Sequence, residues 1–236
     1  MDRDDPAYRG QADYSRPVLR LYDPLVLGPI ARYVWRCPSD RLTEHYRRHI
    51  RNRHLDVGPG TGYFLDRSGL APGSEVTIID PNANVLRHAS ARLAHLDVTA
   101  TEADVCKPLP LEDTFDSASL NLVIHCLPGP FERKAGAIAN VAALMAPAGI
   151  LFGSSVIGES GSHNVAARMM LRAYNRRGAF DNLEDSQEAI REMLVSSFEE
   201  VEVDTIGSIA VFAAKTPRSV SPSQPGRASG GTAAMM

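Results

Sequence analysis

Between Leu55 and Asp66 the chain reads LDVGPGTGYFLD, an apolar run that opens directly into Gly58, Gly60 and Gly62. Glycine lacks a Cβ, so it takes turn conformations closed to other residues and lets a bulky ligand approach the main chain. The run before the glycines is strand-like, and Tyr63 to Arg67 can begin a helix. Strand, glycine turn and helix make the nucleotide-binding corner of an open α/β sheet, where ligands sit beyond the carboxyl ends of the strands. A carboxylate follows at the appropriate distance. The next apolar run, after the turn Pro72-Gly73, ends in Asp80, eighteen residues beyond Gly62. There a carboxylate can accept hydrogen bonds from both hydroxyls of a ribose; its other reading is the N-cap of the following helix.

Spacing separates the candidate cofactors. A dinucleotide fingerprint reads G-x-G-x-x-G and wants its third glycine where helix packs on strand. In this chain Tyr63 occupies that place, and the third glycine comes one residue early. Further along, a third strand near Val98 to Ala103 leads into Asp104-Val105. A fourth, FDSASLNLV from Phe115 to Val123, leads into Ile124-His125-Cys126-Leu127-Pro128-Gly129. An apolar helix from Phe131 to Met145, then Pro147-Ala148-Gly149 and the strand Ile150 to Ser154, complete the series.

In this order the motifs resemble those of class I S-adenosylmethionine-dependent methyltransferases, over Leu55 to Ser155 by motif and to about Lys215 by topology alone. The resemblance implies a Rossmann-like α/β fold: a seven-stranded, mostly parallel sheet with an antiparallel C-terminal hairpin and helices on both faces. It implies S-adenosyl-L-methionine as cofactor, with the glycine turn around the methionine end, Asp80 on the ribose and Asp104 at the adenine amine. The cofactor contacts it points to are Asp56, Gly58, Gly60, Gly62, Tyr63, Asp80, Pro81, Asn82, Asp104, Val105, Asn121 and Leu122. His125, after the fourth strand, is the candidate base, because imidazole titrates near neutrality. In the family's matching place a histidine also serves simply to shape the pocket.

The flanking elements bear on the acceptor. Helical spacing of Val85, Leu86, Ala89 and Leu93 predicts a core-facing helix from Asn82 to Leu93. Residues 1–17 read as a flexible tail and 18–215 as one domain. Within it, residues 18–50 form a helical lid and 160–197 a helical insertion. Tyr22-Asp23-Pro24 starts the lid with an N-cap and a first-turn proline, and Gly28-Pro29 interrupts it. Tyr22 and Trp35 are candidates for facing the substrate or the sulfonium, since an aromatic face attracts a cation. Tyr174 and Asn175, on the polar and aromatic connection between two insertion helices, are candidate substrate contacts. Two closing strands, near 198–205 and 208–214, predict the edge hairpin. Rich in Pro, Gly and Ser, residues 216–236 read as a disordered tail.

Composition narrows the partners. The chain has 236 residues, 44% of them hydrophobic, with 25 Lys and Arg against 28 Asp and Glu for a net charge of −3. That balance argues against a general nucleic-acid binder. In the arginine-rich stretch Arg41 to His54, Leu42, Tyr46 and Ile50 lie four apart, which turns the arginines to the solvent side of a helix. No apolar run reaches the length of a membrane span, and the first residues lack the apolar segment of a secretory signal. Cys37, Cys106 and Cys126 are odd in number and widely spaced, fitting neither a disulfide framework nor a zinc site, so no metal is expected. Cytoplasmic thiols are the simplest reading.

A small-molecule acceptor, methylated at O, N, S or C, fits a lid and an insertion around the cleft, with the oligomeric state open. Two other readings are a methyltransferase of RNA or protein, which needs the arginine stretch to line the cleft, and a non-catalytic cofactor-binding module. Asp80→Ala should weaken S-adenosylmethionine binding strongly; unchanged affinity in the folded variant would overturn the ribose assignment.

Overall fold

The computed structural model describes residues 23–218. Seven strands form one sheet in the order β3-β2-β1-β4-β5-β7-β6. They are β1 (Arg53–Val57), β2 (Glu75–Asp80), β3 (Asp97–Glu102), β4 (Phe115–Asn121), β5 (Met145–Val156), β6 (Phe198–Ile206) and β7 (Ile209–Pro217). Neighbours from β3 to β5 are parallel, and β7 runs antiparallel to both β5 and β6. The strand order therefore reverses between β1 and β4, and the crevice beyond the carboxyl ends of those strands is where such sheets bind ligands.

Alternation along the strands distributes the core between the two faces. On β5, Leu151 packs into a cluster with Ile138 and Val141 of α5 (Phe131–Ala142) and Ile190 and Leu194 of α7 (Gln187–Val195). Its neighbours Ile150 and Phe152 point the other way, toward Tyr46 of α2 (Ser39–His49) and Leu86, Ala89 and Leu93 on or just after α4 (Ala83–Arg92). The expected stripe of α4 is buried in full, and Asn82 caps the helix by accepting from the Asn84 N–H at 2.9 Å. In α2, Leu42 and Tyr46 are buried while Arg47 and Arg48 face solvent, as the four-residue spacing predicts.

Several boundaries differ from expectation. β5 starts at Met145, before Pro147 and Gly149, and runs on to Val156. β4 stops at Asn121 because Leu122 takes φ +61°, a left-handed conformation that a branched side chain rarely adopts. β7 continues through Thr216 and Pro217, and the Arg218 N–H donates to the Ser197 carbonyl at 2.8 Å. The chain is thus ordered beyond the expected domain end at Lys215. The expected tail at 1–17, residues 219–236 of the tail expected at 216–236, and residues 18–22 of the expected lid lie outside the described residues.

In the segment expected to act as a lid, the first described element is α1 (Asp23–Val34), broken at Gly28 (φ −89°, ψ −106°). Pro29 explains the break, since proline lacks an N–H and disfavours helical geometry in the residue before it. The stretch expected as an insertion, 160–197, contains α6 (Val165–Arg177) and α7. It is fastened to α5 by a buried ion pair, with Lys134 Nζ 2.8 and 2.7 Å from the two Asp185 carboxylate oxygens. The two side chains are only 2% and 6% exposed, and the same Nζ donates to the Asp181 carbonyl. Removing one partner of such a pair strands the other charge, so Lys134→Met should cost about 3–5 kcal/mol in urea unfolding. The double variant Lys134→Met/Asp185→Leu should recover most of that loss.

Candidate active site

The glycine turn leaves β1 with Gly58, Gly60 and Gly62 all at positive φ, 65°, 56° and 76°. Its first glycine is pressed against Val123, and its last rests in ordinary contact on α4. A Cβ on Gly58 would lie 2.8 Å from Val123 Cγ2, and one on Gly62 would lie 3.4 Å from the Ala89 Cα. At Gly60 a Cβ would meet nothing within 4 Å, because this residue borders the cleft. The Gly58 N–H extends the sheet ladder by donating to the Ile79 carbonyl at 2.8 Å. After the turn comes a short helix, α3 (Tyr63–Asp66).

A cavity of about 160 Å³ opens beside this turn. Among its wall residues are Asp80 and Pro81 from the end of β2, Asp104 and Val105 after β3, and Asn121 and Leu122 at the end of β4. Asp80 is held by the Asn82 N–H, which donates to Oδ1 at 2.7 Å. Burial pushes its carboxyl up to about 7 against that hydrogen bond, with the nearby Asp56 charge adding to the rise. Two buried side-chain atoms of the described residues lack a hydrogen-bond partner, Asp104 Oδ2 and Asn121 Nδ2, and both residues line this cavity. Buried polar groups are otherwise almost always paired. Ser154 orients the amide by donating its hydroxyl to Asn121 Oδ1, leaving Nδ2 as the unused donor. An acceptor with the Lys107 ammonium 3.6 Å away, an unused amide donor and an open glycine main chain fit a nucleoside-bearing cofactor with a charged tail.

The structure gathers nine of the twelve expected cofactor contacts around this cleft; Asp56, Gly62 and Asn82 do not line it, Gly62 lying against α4 instead. Asp56 is buried beneath the turn, where Tyr46 and Ser119 donate their hydroxyls to its two oxygens at 3.0 and 2.8 Å. Asn82 serves as the cap of α4. Thus Asp80, the other candidate cap, is left facing the cleft.

The candidate base His125 is placed away from the cleft. It lies in a short helical turn, Ile124–Cys126, is buried, and is absent from the cleft wall. The Val156 N–H donates to its Nδ1 at 3.2 Å, so the neutral ring carries its proton on Nε2. The ring meets Phe180 edge-on at 4.4 Å, and burial, then the Lys134 charge, lowers its pKa to about 3. A nitrogen already accepting a main-chain hydrogen bond is not positioned to take a proton from substrate.

On the acceptor side, Tyr22 lies outside the described residues. Trp35 is buried beside Phe180, at 6.3 Å between rings, with its carbonyl held by the Ser208 N–H. From α1 it is Leu27 that lines the cleft. Tyr174 packs on Phe180 at 4.8 Å. Asn175 bonds within the insertion, to Leu171 and Asn182, and Asn182 in turn donates to the Val156 carbonyl. Neither Tyr174 nor Asn175 lines the cleft. Among the wall residues that sequence reading did not name are Leu27, Pro59, Thr61 and Cys126; of these four, Pro59 and Thr61, each between two glycines of the motif, carried a local signal. The arginines of α2 also stand away from it: Arg41 and Arg48 border a separate groove with Glu202 and Asp204.

Fold and cleft define an α/β protein that holds a nucleoside-bearing cofactor at the switch point of its sheet. A methyltransferase-domain family model matches residues 55–151. Demethylluteothin O-methyltransferase of Streptomyces thioluteus is 32% identical over 215 residues, spanning 90% of this chain and 94% of that protein. The physcion biosynthesis cluster O-methyltransferase of Aspergillus chevalieri is 34% identical over 221 residues, covering 92% and 100%. Among solved structures, the N-methyltransferase NodS of Bradyrhizobium japonicum, in complex with S-adenosyl-L-homocysteine, has the same fold. It superposes with a TM-score of 0.63 at 16% identity, covering 91% of this chain and all of that one. The chain belongs to the methyltransferase family and is an S-adenosylmethionine-dependent enzyme. Among the described residues, no helix is long and apolar enough to cross a membrane.

Ionised Asp80 accepts two hydrogen bonds, whereas the protonated acid loses acceptor capacity. With its pKa near 7, S-adenosylmethionine affinity should hold above that pH and weaken below it. Titration calorimetry across the range should show this dependence, and Asp80→Asn should flatten it.

Proposed function

We propose that this enzyme transfers the methyl group of S-adenosylmethionine to a hydroxyl oxygen of a small secondary metabolite. The observation that carries this reading is the end-to-end similarity to two O-methyltransferases, one of them named for the metabolite demethylluteothin and the other for a biosynthesis cluster. The cleft agrees, since beside the glycine turn its wall includes Leu27, Phe64, Leu122 and Leu127. Such a surface suits a flat, largely apolar acceptor.

In this reading Asp80 receives the ribose hydroxyls, Asp104 Oδ2 accepts from the adenine amine, and Asn121 Nδ2 donates to the methionine carboxylate. The cofactor supplies an electrophilic methyl on a sulfonium. The acceptor oxygen forms a bond to that carbon as the carbon–sulfur bond breaks toward sulfur, and the hydroxyl proton passes to solvent. The protein's contribution is alignment, which in favourable intramolecular cases is worth ~7–11 kcal/mol. Residues 18–50 act as the lid and 160–197 as the wall of the acceptor side. The free thiols Cys37, Cys106 and Cys126 support a reducing, cytoplasmic setting.

Incubation with isotopically labelled S-adenosylmethionine and a panel of phenols, enols, amines and thiols, read by mass spectrometry, tests the proposal. Label should appear on hydroxyl oxygens; label confined to nitrogen or sulfur would overturn it. With His125 turned into the core, the rising limb of kcat/KM for the acceptor against pH, measured at saturating S-adenosylmethionine so that Asp80 does not contribute, should follow the hydroxyl acidity of each acceptor. A limb at one fixed pH for acceptors of different acidity would point to a base on the enzyme.

A further inference from the structure

Three side chains distant in sequence close a ring outside the glycine turn. Thr61 donates its hydroxyl to Asp23 Oδ1 at 2.5 Å, and Arg92 donates through Nη2 to Asp23 Oδ2 at 2.6 Å. Arg92 completes the ring through Nη1 to Thr61 Oγ1 at 3.0 Å. The Arg92 and Asp23 side chains are only 28% and 17% exposed, so solvent screens this pair less than an ordinary surface ion pair. Charge assistance makes its hydrogen bonds shorter and stronger than neutral ones.

Each member belongs to a different wall of the cofactor cleft. Thr61 sits between Gly60 and Gly62 and lines the cleft itself. Arg92 ends α4, the helix whose Ala89 backbone backs Gly62. Asp23 opens α1, and Leu27, one helical turn later on the same side, is the lid residue in the cleft wall. Beyond Leu27 the helix breaks at Gly28, so the Asp23-to-Leu27 turn is a separate short piece. Its polar side-chain bonds to the body of the domain are those of Asp23.

Resting on the methyltransferase reading, we propose that Asp23, Thr61 and Arg92 form a latch that holds the first turn of the lid against the glycine turn and sets the residence time of the bound cofactor. None of the three is a catalytic residue; they are positioning residues acting through Leu27 and the glycine turn. Latch and cofactor reinforce one another, because a cofactor in the cleft supports Leu27 from inside while the ring holds the same turn from outside.

Asp23→Asn is the direct test, since the amide keeps the shape but faces the Arg92 donors without a charge. Thr61→Val, which keeps the ion pair and the side-chain size, is the second variant and is judged alone should Asp23→Asn not fold. Binding of S-adenosylhomocysteine to the full chain is followed by stopped-flow fluorescence of Trp35, the single tryptophan, or by surface plasmon resonance. Dissociation should be at least about fivefold faster in each variant, with association unchanged or faster. A damaged pocket would instead slow association. Asp23→Asn/Arg92→Met should dissociate no faster than the quicker single variant, because both changes open the same ring. Dissociation less than about fivefold faster, slower association, or additive effects in the double variant would overturn the latch. A wild-type chain that fails to bind S-adenosylhomocysteine would bring down the cofactor reading and the latch together. Normal binding by wild type with an unaffected folded variant would remove the latch alone.

Discussion

The close approach of the glycine turn to its two neighbours is the constraint on which the rest of the site depends. At one end Gly58 lies against Val123, leaving no room for a Cβ, and at the other Gly62 rests on the backbone of Ala89 in α4. With the turn held in this way, the main chain between β1 and α3 has one course. That course brings it beside Asp80 and Asn121, at the ends of the two strands flanking β1. A larger residue at Gly58 would force Val123 and the turn apart, separating groups that one cofactor must touch together, and one at Gly62 would have to hold a left-handed backbone at φ +76°. The left-handed backbone at Leu122 belongs to the same arrangement. It turns the chain off β4 so that Val123 meets Gly58, with the Leu122 N–H held by the Ser154 carbonyl at 2.8 Å.

Below the turn, a polar underlayer fixes β1 to β4 and α2. His54 contacts the Ser117 and Ser119 hydroxyls at 2.8 and 3.1 Å, and Tyr46 reaches both His54 and Asp56. Burial drives His54 down to about 3 and Asp56 up to about 7, so both favour their neutral forms where a charge would be costly. A network satisfied in this way specifies register as well as stability, because a slip of β1 would leave several buried groups unpaired. The raised Asp56 and Asp80 carboxyls share a sign. The native chain holds those protons to a higher pH than the unfolded chain does. Their contribution to stability is therefore present in mild acid and declines as pH rises through about 7.

The acceptor side is held by a second set of long-range bonds centred on Lys134. Its ammonium joins Asp185 and the Asp181 carbonyl, and the Asp181 N–H donates to the His125 carbonyl at 2.9 Å. The insertion, α5 and the turn after β4 thus form one body. His125 is part of that framework: its Nδ1 is committed to Val156 and its ring to Phe180. Methyl transfer from a sulfonium needs alignment more than an enzymatic base, so committing this imidazole to structure is compatible with the chemistry.

Much of this protein was legible in the chain alone because the signals are local. Alternating and helical periodicities gave the sheet, the stripe of α4 and the solvent face of α2. The glycine spacing with Tyr63, followed by Asp80, Asp104 and Asn121, identified a methyl donor's cleft. Each depends on backbone preference or on burial repeating at a fixed period. Tertiary structure alone decided which polar atom meets which. Asp56 is placed as buried support beneath the turn, His125 in the core, and Leu27 rather than Trp35 in the cleft wall. Asp23 found Arg92 across 69 positions of chain. Periodicity tells which way a side chain faces relative to its own element, whereas its partner depends on how distant elements pack against one another.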